Sequence, residues 1–139
     1  MSNTPMVIYI ARTDTVGGRE SGIARSSDGV LDIRFSAPGS TGIGTNPEQL
    51  LAAGWSASLA SAIALVALKR KVALPAEVSI RAEVDLTFEP DGYTLTARLY
   101  VSLPGIERSV GQNLTNDARQ ICPFSKAFSL RLDVTLDLA

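Results

Sequence analysis

One segment of this sequence restricts the possible folds more than any other, because residues 49–68 contain no charged side chain. Helix-start signals precede it: Asn46 can cap, Pro47 suits the first helical position, and Gln49 lies three residues past the cap. Three cations follow at residues 69–71, where the helix dipole favours positive charge. The sequence therefore predicts a helix whose apolar surface must be covered on all sides.

Such a run is also long enough to span a bilayer, which requires about 20 residues. However, Gly54, Ser58 and several alanines make it only weakly hydrophobic, and the flanking segments alternate like strands of a soluble sheet. The N-terminal residues lack the charged start and long apolar core of a signal peptide. We therefore predict the central helix of a cytoplasmic protein without membrane attachment.

Length and composition further restrict the number of domains and the possible classes of function. A chain of 139 residues predicts a single domain over residues 1–139. The net charge is −1 and the cations at residues 69–71 are the only basic run, so nucleic-acid binding has little support. Cys122 is the one cysteine and there is no histidine, so we expect no intrachain disulfide, no metal site and no cofactor.

Alternating segments surround the helix. β-Branched and aromatic residues with intervening turn signals predict a meander of three strands before it, at residues 7–15, 22–27 and 30–36. A glycine-rich loop at residues 37–45 follows, and loops of this kind often border sites.

After the helix the pattern predicts a hairpin, a second helix capped by Ser109, and a last strand, at residues 77–89, 93–103, 109–120 and 130–138. The order β-β-β-α-β-β-α-β is typical of an α+β domain with antiparallel sheets against the apolar helix. Because one sheet cannot cover that helix fully, we expect a second copy of the chain to do so in a homodimer.

Few residues in this chain have side chains of a type that commonly takes part in catalysis. Gly54, Ser58 and Ala62 form a ridge of small residues on the helix, which would allow close approach of another element. A nucleophilic serine needs a base, usually histidine, so a serine hydrolase is excluded. Cys122 precedes a proline at a helix end, where a buried inert thiol is more common than a reactive one.

Two charged residues complete the candidates. Arg19 follows Gly17 and Gly18, a position typical of a solvated turn arginine. Glu48 lies in the first turn of the apolar helix, where it is either favoured by the helix dipole or the partner of a buried arginine.

Taken together, six segments resemble the OsmC/Ohr family, specifically its organic hydroperoxide resistance branch. They run in family order over nearly the whole chain: IYIARTDTVGGRE, RSSDGVLDIRFSAPG, GTNPEQLLAAGWSAS, KVALPAEVSI, VSLPGIERS and ICPFSKA. The resemblance implies an intertwined α+β homodimer in which antiparallel sheets wrap around the central helix. It also implies a peroxidase active in the response to oxidative stress, which reduces organic and fatty-acid hydroperoxides with cysteine thiols.

The resemblance further implies the roles of particular residues. Arg19 and Glu48 match the arginine and glutamate that polarise the family's site, and Cys122 matches the resolving cysteine. A lipoylated protein or another dithiol would return the electrons. We expect Trp55, Gly18 and Phe124 to line the substrate pocket.

One position departs from the family pattern. The family reads A-A-G-[YF]-[SA]-A-C, whereas residues 52–58 read AAGWSAS, so Ser58 stands where the peroxidatic cysteine is expected. A thiolate forms at neutral pH because an adjacent cation can lower its pKa from about 8.5. A serine hydroxyl stays protonated and cannot enter the sulfenate-to-disulfide sequence. The chain is therefore predicted to be inactive or altered in the two-cysteine cycle.

Several alternatives stay open at this stage. Ser58 is either an engineered replacement or natural, and further departures at Trp55, Leu59 and residues 127–129 favour a natural variant. Cys122 alone could serve a one-cysteine peroxidase, or the protein could bind a small hydrophobic ligand without catalysis. Glu48 and Ser58 are ten residues apart, about 15 Å along a straight helix. One arginine reaches both only if the helix bends, if Glu48 lies outside it, or if the arginine comes from elsewhere in the dimer.

Overall fold

The computed structural model describes residues 4–74, 77–128 and 133–138. The chain divides into two compact units, Met1–Pro47 and Glu48–Ala139. The single domain predicted over residues 1–139 stays a prediction.

The first unit is a meander of three antiparallel strands, β1 (Thr13–Val16), β2 (Ile23–Ser26) and β3 (Asp32–Arg34). The turn between β2 and β3 is closed by Asp28, whose carboxylate accepts hydrogen bonds from the Ser26 hydroxyl at 2.5 Å and the Val30 amide at 3.0 Å. These bonds, the Ser26 bond first, lower the pKa of Asp28. Gly29 follows with a φ of 74°, which favours glycine. The predicted meander is confirmed.

The first predicted strand begins later than expected. Residues 7–12 were predicted to be extended in a strand, but β1 starts only at Thr13, which pairs with Ser26 at the end of β2. No described strand lies alongside residues 7–11, and a strand needs a partner for its backbone groups. The side chains of residues 6–10 are consequently 56% to 87% exposed although all five are apolar or aromatic.

The predicted central helix is α1, Pro47–Lys69, in the second unit. Trp55, Leu59, Ile63 and Val66 recur every three or four residues and pack into one core cluster. The opposite side of α1 still exposes apolar surface, with Leu68 74% exposed. α1 is long and apolar enough to cross a membrane, but the core helix of a soluble protein can have the same length and composition.

The sheet of this unit has the order β4-β5-β6, formed by Ser79–Glu89, Gly92–Ser102 and Asp133–Leu138. β4 and β5 form the predicted antiparallel hairpin, whereas β6 joins β5 in parallel after a helical crossover. Ala97, Leu99 and Val101 of β5 are fully buried in the core cluster. Near the turn the hairpin extends past the core, which leaves Phe88 74% exposed on the face that its alternation predicted to be buried.

The crossover consists of α2 (Arg108–Ile121) and the short α3 (Pro123–Phe128). The predicted cap at Ser109 is wrong: Glu107 is the N-cap residue, and the Ser109 hydroxyl donates to the Glu107 carboxylate at 2.8 Å. The predicted last strand starts at Asp133, and its expected first part at residues 130–132 lies outside the described residues.

The outer face of the hairpin carries an ion-pair network. Arg98 donates two hydrogen bonds to Asp85, at 2.9 Å and 2.7 Å, and one to Glu83 at 3.0 Å. The bonds from Arg98, followed by one from Thr96, lower the pKa of Asp85. Arg98 therefore links β4 to β5 on the wet side of the sheet, where such pairs contribute little to stability.

The buried part of β5 predicts a large stability effect for a small truncation. Val101→Ala removes two methyl groups from a side chain with no exposure, so we expect a loss of about 2 kcal/mol or more in the free energy of unfolding. Val30→Ala is the matched control, since Val30 is 85% exposed, and it should change stability by less than about 0.5 kcal/mol. Urea unfolding followed by circular dichroism measures both. Equal effects would contradict the assignment of β5 to the core.

The lowered pKa of Asp85 predicts a pH-dependent effect. Because the folded-state pKa lies below the ordinary 3.8, the contribution of Asp85 is complete above that value and is lost as the pH falls through the folded pKa. Asp85→Asn should therefore destabilise the protein at pH 6, and its difference from wild type should shrink as the pH falls below 3.8. Urea midpoints across this range, with Asp14→Asn as the exposed control, test the claim. A constant difference would contradict it.

Candidate functional site

The only cysteine, Cys122, contacts Ser58, which stands where the family pattern has its peroxidatic cysteine. The Cys122 thiol donates a weak hydrogen bond to Ser58, with 3.5 Å between Sγ and Oγ. Cys122 is fully buried and Ser58 is partly buried. The structure thus brings together two of the four residues predicted to carry the chemistry.

Local sequence explains where the thiol sits. Cys122 is the C-cap residue of α2, and its amide donates to the carbonyl of Ala118. Pro123 lacks an amide hydrogen and would clash with the preceding turn, so α2 ends here and α3 starts in a new direction. The thiol is therefore held at the corner between the two helices.

The ridge of small residues on α1 permits the close approach of this corner. A Cβ atom at Gly54 would lie 3.4 Å from Cζ of Phe124. One helical turn later Ser58 contacts Cys122, and Ala62 follows as a buried residue. The interpretation of this ridge as a site of close approach is confirmed.

A buried hydrogen bond fastens α3 to α1 beside the thiol. The indole N–H of Trp55 donates to Oγ of Ser125 at 3.0 Å, and both residues are almost fully buried. The Trp55 ring also packs on Phe128, with 5.2 Å between ring centroids, and Phe128 packs on Phe124 at 6.1 Å. These contacts fix α3, and with it the position of Cys122 relative to Ser58.

Glu48 lies at the start of the helix that carries Ser58, and its membership of the site stays a prediction. It lies in the first turn of α1, and the helix runs without interruption to Ser58 and beyond. The alternative that places Glu48 outside the regular helix is therefore wrong. Ten helical residues separate the two side chains by about 15 Å along the axis.

Arg19 and Gly18 belong to the first unit, in the turn that joins β1 to β2. The Gly22 amide donates to the Gly18 carbonyl at 2.7 Å and closes this turn, in which Arg19 is partly buried. That either residue joins the site in the second unit stays a prediction.

The predicted pocket residues Trp55 and Phe124 both lie near the thiol corner, where Trp55 is buried and Phe124 is half-buried. Their role in binding substrate stays a prediction. Sequence reasoning missed Ser125, although its place as the polar residue after Cys-Pro-Phe was a usable signal. It also missed Thr115, whose buried hydroxyl has no hydrogen-bond partner among the described residues. Within the same part of the chain no group of three His, Cys, Asp or Glu residues could hold a metal ion.

Comparison with known proteins places this arrangement in a family. The profile described as "OsmC-like protein" matches residues 39–137. The chain belongs to the OsmC-like family. An organic hydroperoxide resistance protein of Xanthomonas axonopodis pv. citri is 42% identical, and the alignment covers 100% of both chains. The family and the branch predicted from sequence segments are thereby confirmed.

Solved structures of this family have the same fold. An organic hydroperoxide resistance protein from Legionella pneumophila superposes with a TM-score of 0.90 at 34% identity, covering 96% of this chain and 99% of the other. OhrB of Bacillus subtilis superposes with a TM-score of 0.87, also at 34% identity, covering 96% and 100%. The predicted α+β class with a central helix is confirmed.

The Trp55–Ser125 bond predicts coupled mutational effects. Ser125→Ala leaves the indole N–H buried without an acceptor, so we expect a loss of about 1–3 kcal/mol in the free energy of unfolding. In a Trp55→Phe background the same change should cost much less, because no donor is left unpaired. Ser61→Ala, at an exposed serine of α1, is the control. Additive effects of the two changes in urea unfolding would contradict the hydrogen bond.

Proposed function

We propose that this chain is an organic hydroperoxide resistance-type protein whose redox site is built around Cys122 and Ser58. The observation that carries the proposal is the 3.5 Å contact between the thiol and the serine hydroxyl. In a two-cysteine cycle the two reacting sulfur atoms must come this close. Relatives named for organic hydroperoxide resistance at 42% and 37% identity support the same function.

Because residue 58 is a serine, the catalytic cycle would use one cysteine instead of two. A Cys122 thiolate would attack the terminal peroxide oxygen, break the O–O bond and release the alcohol, leaving a sulfenic acid. No second thiol in the chain can condense with it, since Cys122 is the only cysteine. A dithiol, such as a lipoylated protein, would then reduce the sulfenic acid to the thiol with release of water. Because Cys122 is fully buried, we propose that this activity is slow.

We also propose that the working form is a cytoplasmic homodimer, with Arg19 and Glu48 completing the site across two copies. Support comes from apolar surface that the described chain leaves uncovered: residues 6–10, Leu68 on α1, and Phe88 and Tyr93 on the hairpin. Exposed apolar patches often mark protein interfaces. An apolar lining around the thiol would also suit an organic peroxide.

A second candidate is a protein that holds a small hydrophobic ligand without catalysis. The complete burial of Cys122 and the serine at position 58 favour it, because neither supports rapid thiol chemistry. Native mass spectrometry of the purified protein would reveal a retained ligand. An unreactive Cys122 together with such a ligand would favour this function over the first.

Restoring a thiol at position 58 is the sharpest test. We expect Ser58→Cys to consume cumene hydroperoxide with dihydrolipoamide at least tenfold faster than the parent chain, because two sulfur atoms at this separation need only a small shift to bond. Peroxide alone should convert its two thiols into a disulfide, as measured by thiol titration. Adding Cys122→Ser should abolish the disulfide.

Ser56→Cys is the matched control, since it places a thiol on the same helix about 200° around the axis. It should gain neither the disulfide nor the activity. Equal gains in both variants, or a disulfide in Ser58→Cys with no gain in peroxide consumption, would overturn the proposed function.

A further inference from the structure

The short helix α3 begins directly after Cys122, and only one of its faces is turned inward. Its inward side chains are buried or half-buried: Phe124, Ser125 and Phe128. A helix of six residues is too short to hold its conformation in water by its own hydrogen bonds. The position of α3 therefore depends on the contacts that its inward face makes.

These inward side chains meet α1 at two adjacent residues. Ser125 accepts a hydrogen bond from the indole N–H of Trp55, and Phe128 packs on the ring of Trp55. Phe124 lies against Gly54, the preceding residue of α1. Trp55 thus contributes the hydrogen bond and one ring contact, three residues before the serine that contacts the thiol.

The backbone of Cys122 is built as a hinge between α2 and α3. It is extended, with φ −69° and ψ 119°. Its amide donates to the carbonyl of Ala118 at 2.8 Å, and its carbonyl accepts from the amide of Lys126 at 2.9 Å. Rotation about φ and ψ of Cys122 breaks neither bond, because one bond lies before these two torsions and the other after them. α3 can therefore turn away from α1 as a unit while the thiol stays with α2.

We propose that α3 is a lid over Cys122 and that the hydrogen bond from Trp55 to Ser125 is its latch. With the lid closed the thiol has no exposed surface, so a dissolved reagent reacts only with the open form. Opening transfers the indole N–H and the serine oxygen to water, which satisfies both groups. The lid would control the access of a peroxide to the thiol. This consequence rests on the proposed function, whereas the lid itself does not.

The main test removes the acceptor of the latch. Ser125→Ala leaves the indole N–H unsatisfied in the closed form only, so the open form becomes more populated. We expect Cys122 of this variant to react with dithiodipyridine at least about fivefold faster than in the parent chain. The reagent is kept dilute, so that the rate follows the population of the open form, and the absorbance of the released thiopyridone measures it.

Val101→Ala is the matched control, because it destabilises the whole unit from β5, outside α3 and its contacts on α1. If the lid opens locally, this variant should react at the rate of the parent chain. Equal acceleration in both variants would mean that the reagent reaches the thiol through global unfolding, and would overturn the proposal. An unchanged rate in Ser125→Ala would overturn it as well.

Trp55→Phe tests the latch from its other end. It removes the donor and keeps an aromatic ring beside Phe128, so the reaction of Cys122 should again be faster. Adding Ser125→Ala to this variant should accelerate the reaction no further, because the hydrogen bond is already lost. Accelerations that multiply would assign the effect to packing and would contradict the latch.

Cumene hydroperoxide separates the lid from the proposed function. In its reaction the Cys122 sulfur takes up the terminal peroxide oxygen, the O–O bond breaks, and the thiol proton passes to the leaving alkoxide. We expect this oxidation to be faster in Ser125→Ala by the same factor as the reaction with dithiodipyridine. Faster reaction with dithiodipyridine but no oxidation in either chain would support the lid and contradict the proposed function.

Discussion

The whole second unit depends on covering a helix that has no charged side chain from residue 49 to residue 68. β5 supplies one cover through Leu99 and Val101, and the crossover helices supply another. A free energy of about 25 cal/mol for each Å² of apolar surface removed from water drives this packing. The cover within the chain is incomplete, as Leu68 shows, and the uncovered remainder is the physical basis for the proposed dimer.

Most of the fold could be predicted from the spacing of apolar residues and from the residues that begin and end helices and turns. The uncharged run, Pro47 and the trailing cations located α1 almost to the residue, because helix starts and ends obey strong local rules. The meander and the hairpin followed from alternation and from turns at glycine. The errors fell where a strand needs a partner, at residues 7–12, and at the start of α2, where the helix begins two residues before the predicted cap and Glu107 is the N-cap residue instead of Ser109.

The candidate site was only partly predictable. The proximity of Ser58 and Cys122 was expected from the family resemblance, since the two residues are 64 positions apart and no local rule joins them. The Trp55–Ser125 bond was not foreseen, because a tertiary hydrogen bond between α1 and α3 leaves no periodic trace in the sequence.

One serine connects the α2–α3 corner to the core. Ser125 accepts a hydrogen bond from Trp55 in the buried aromatic cluster and also lines a polar cleft at the junction of α2 and α3. The thiol sits next to this connection, three residues earlier in the chain. A substitution at Ser125 should therefore disturb the packing of α3 on α1, which also positions Cys122.

The break at Cys122 has one more consequence. The Cys122 sulfur atom has no exposed surface, so the corner between α2 and α3 must open before a reagent can reach it. Labelling of this thiol therefore reports on local opening of the native protein. When labelling is faster than reclosing, the rate at which an alkylating reagent labels the native chain equals the rate at which this corner opens. No label needs to be introduced and no competing thiol needs to be removed, because the chain holds only this one.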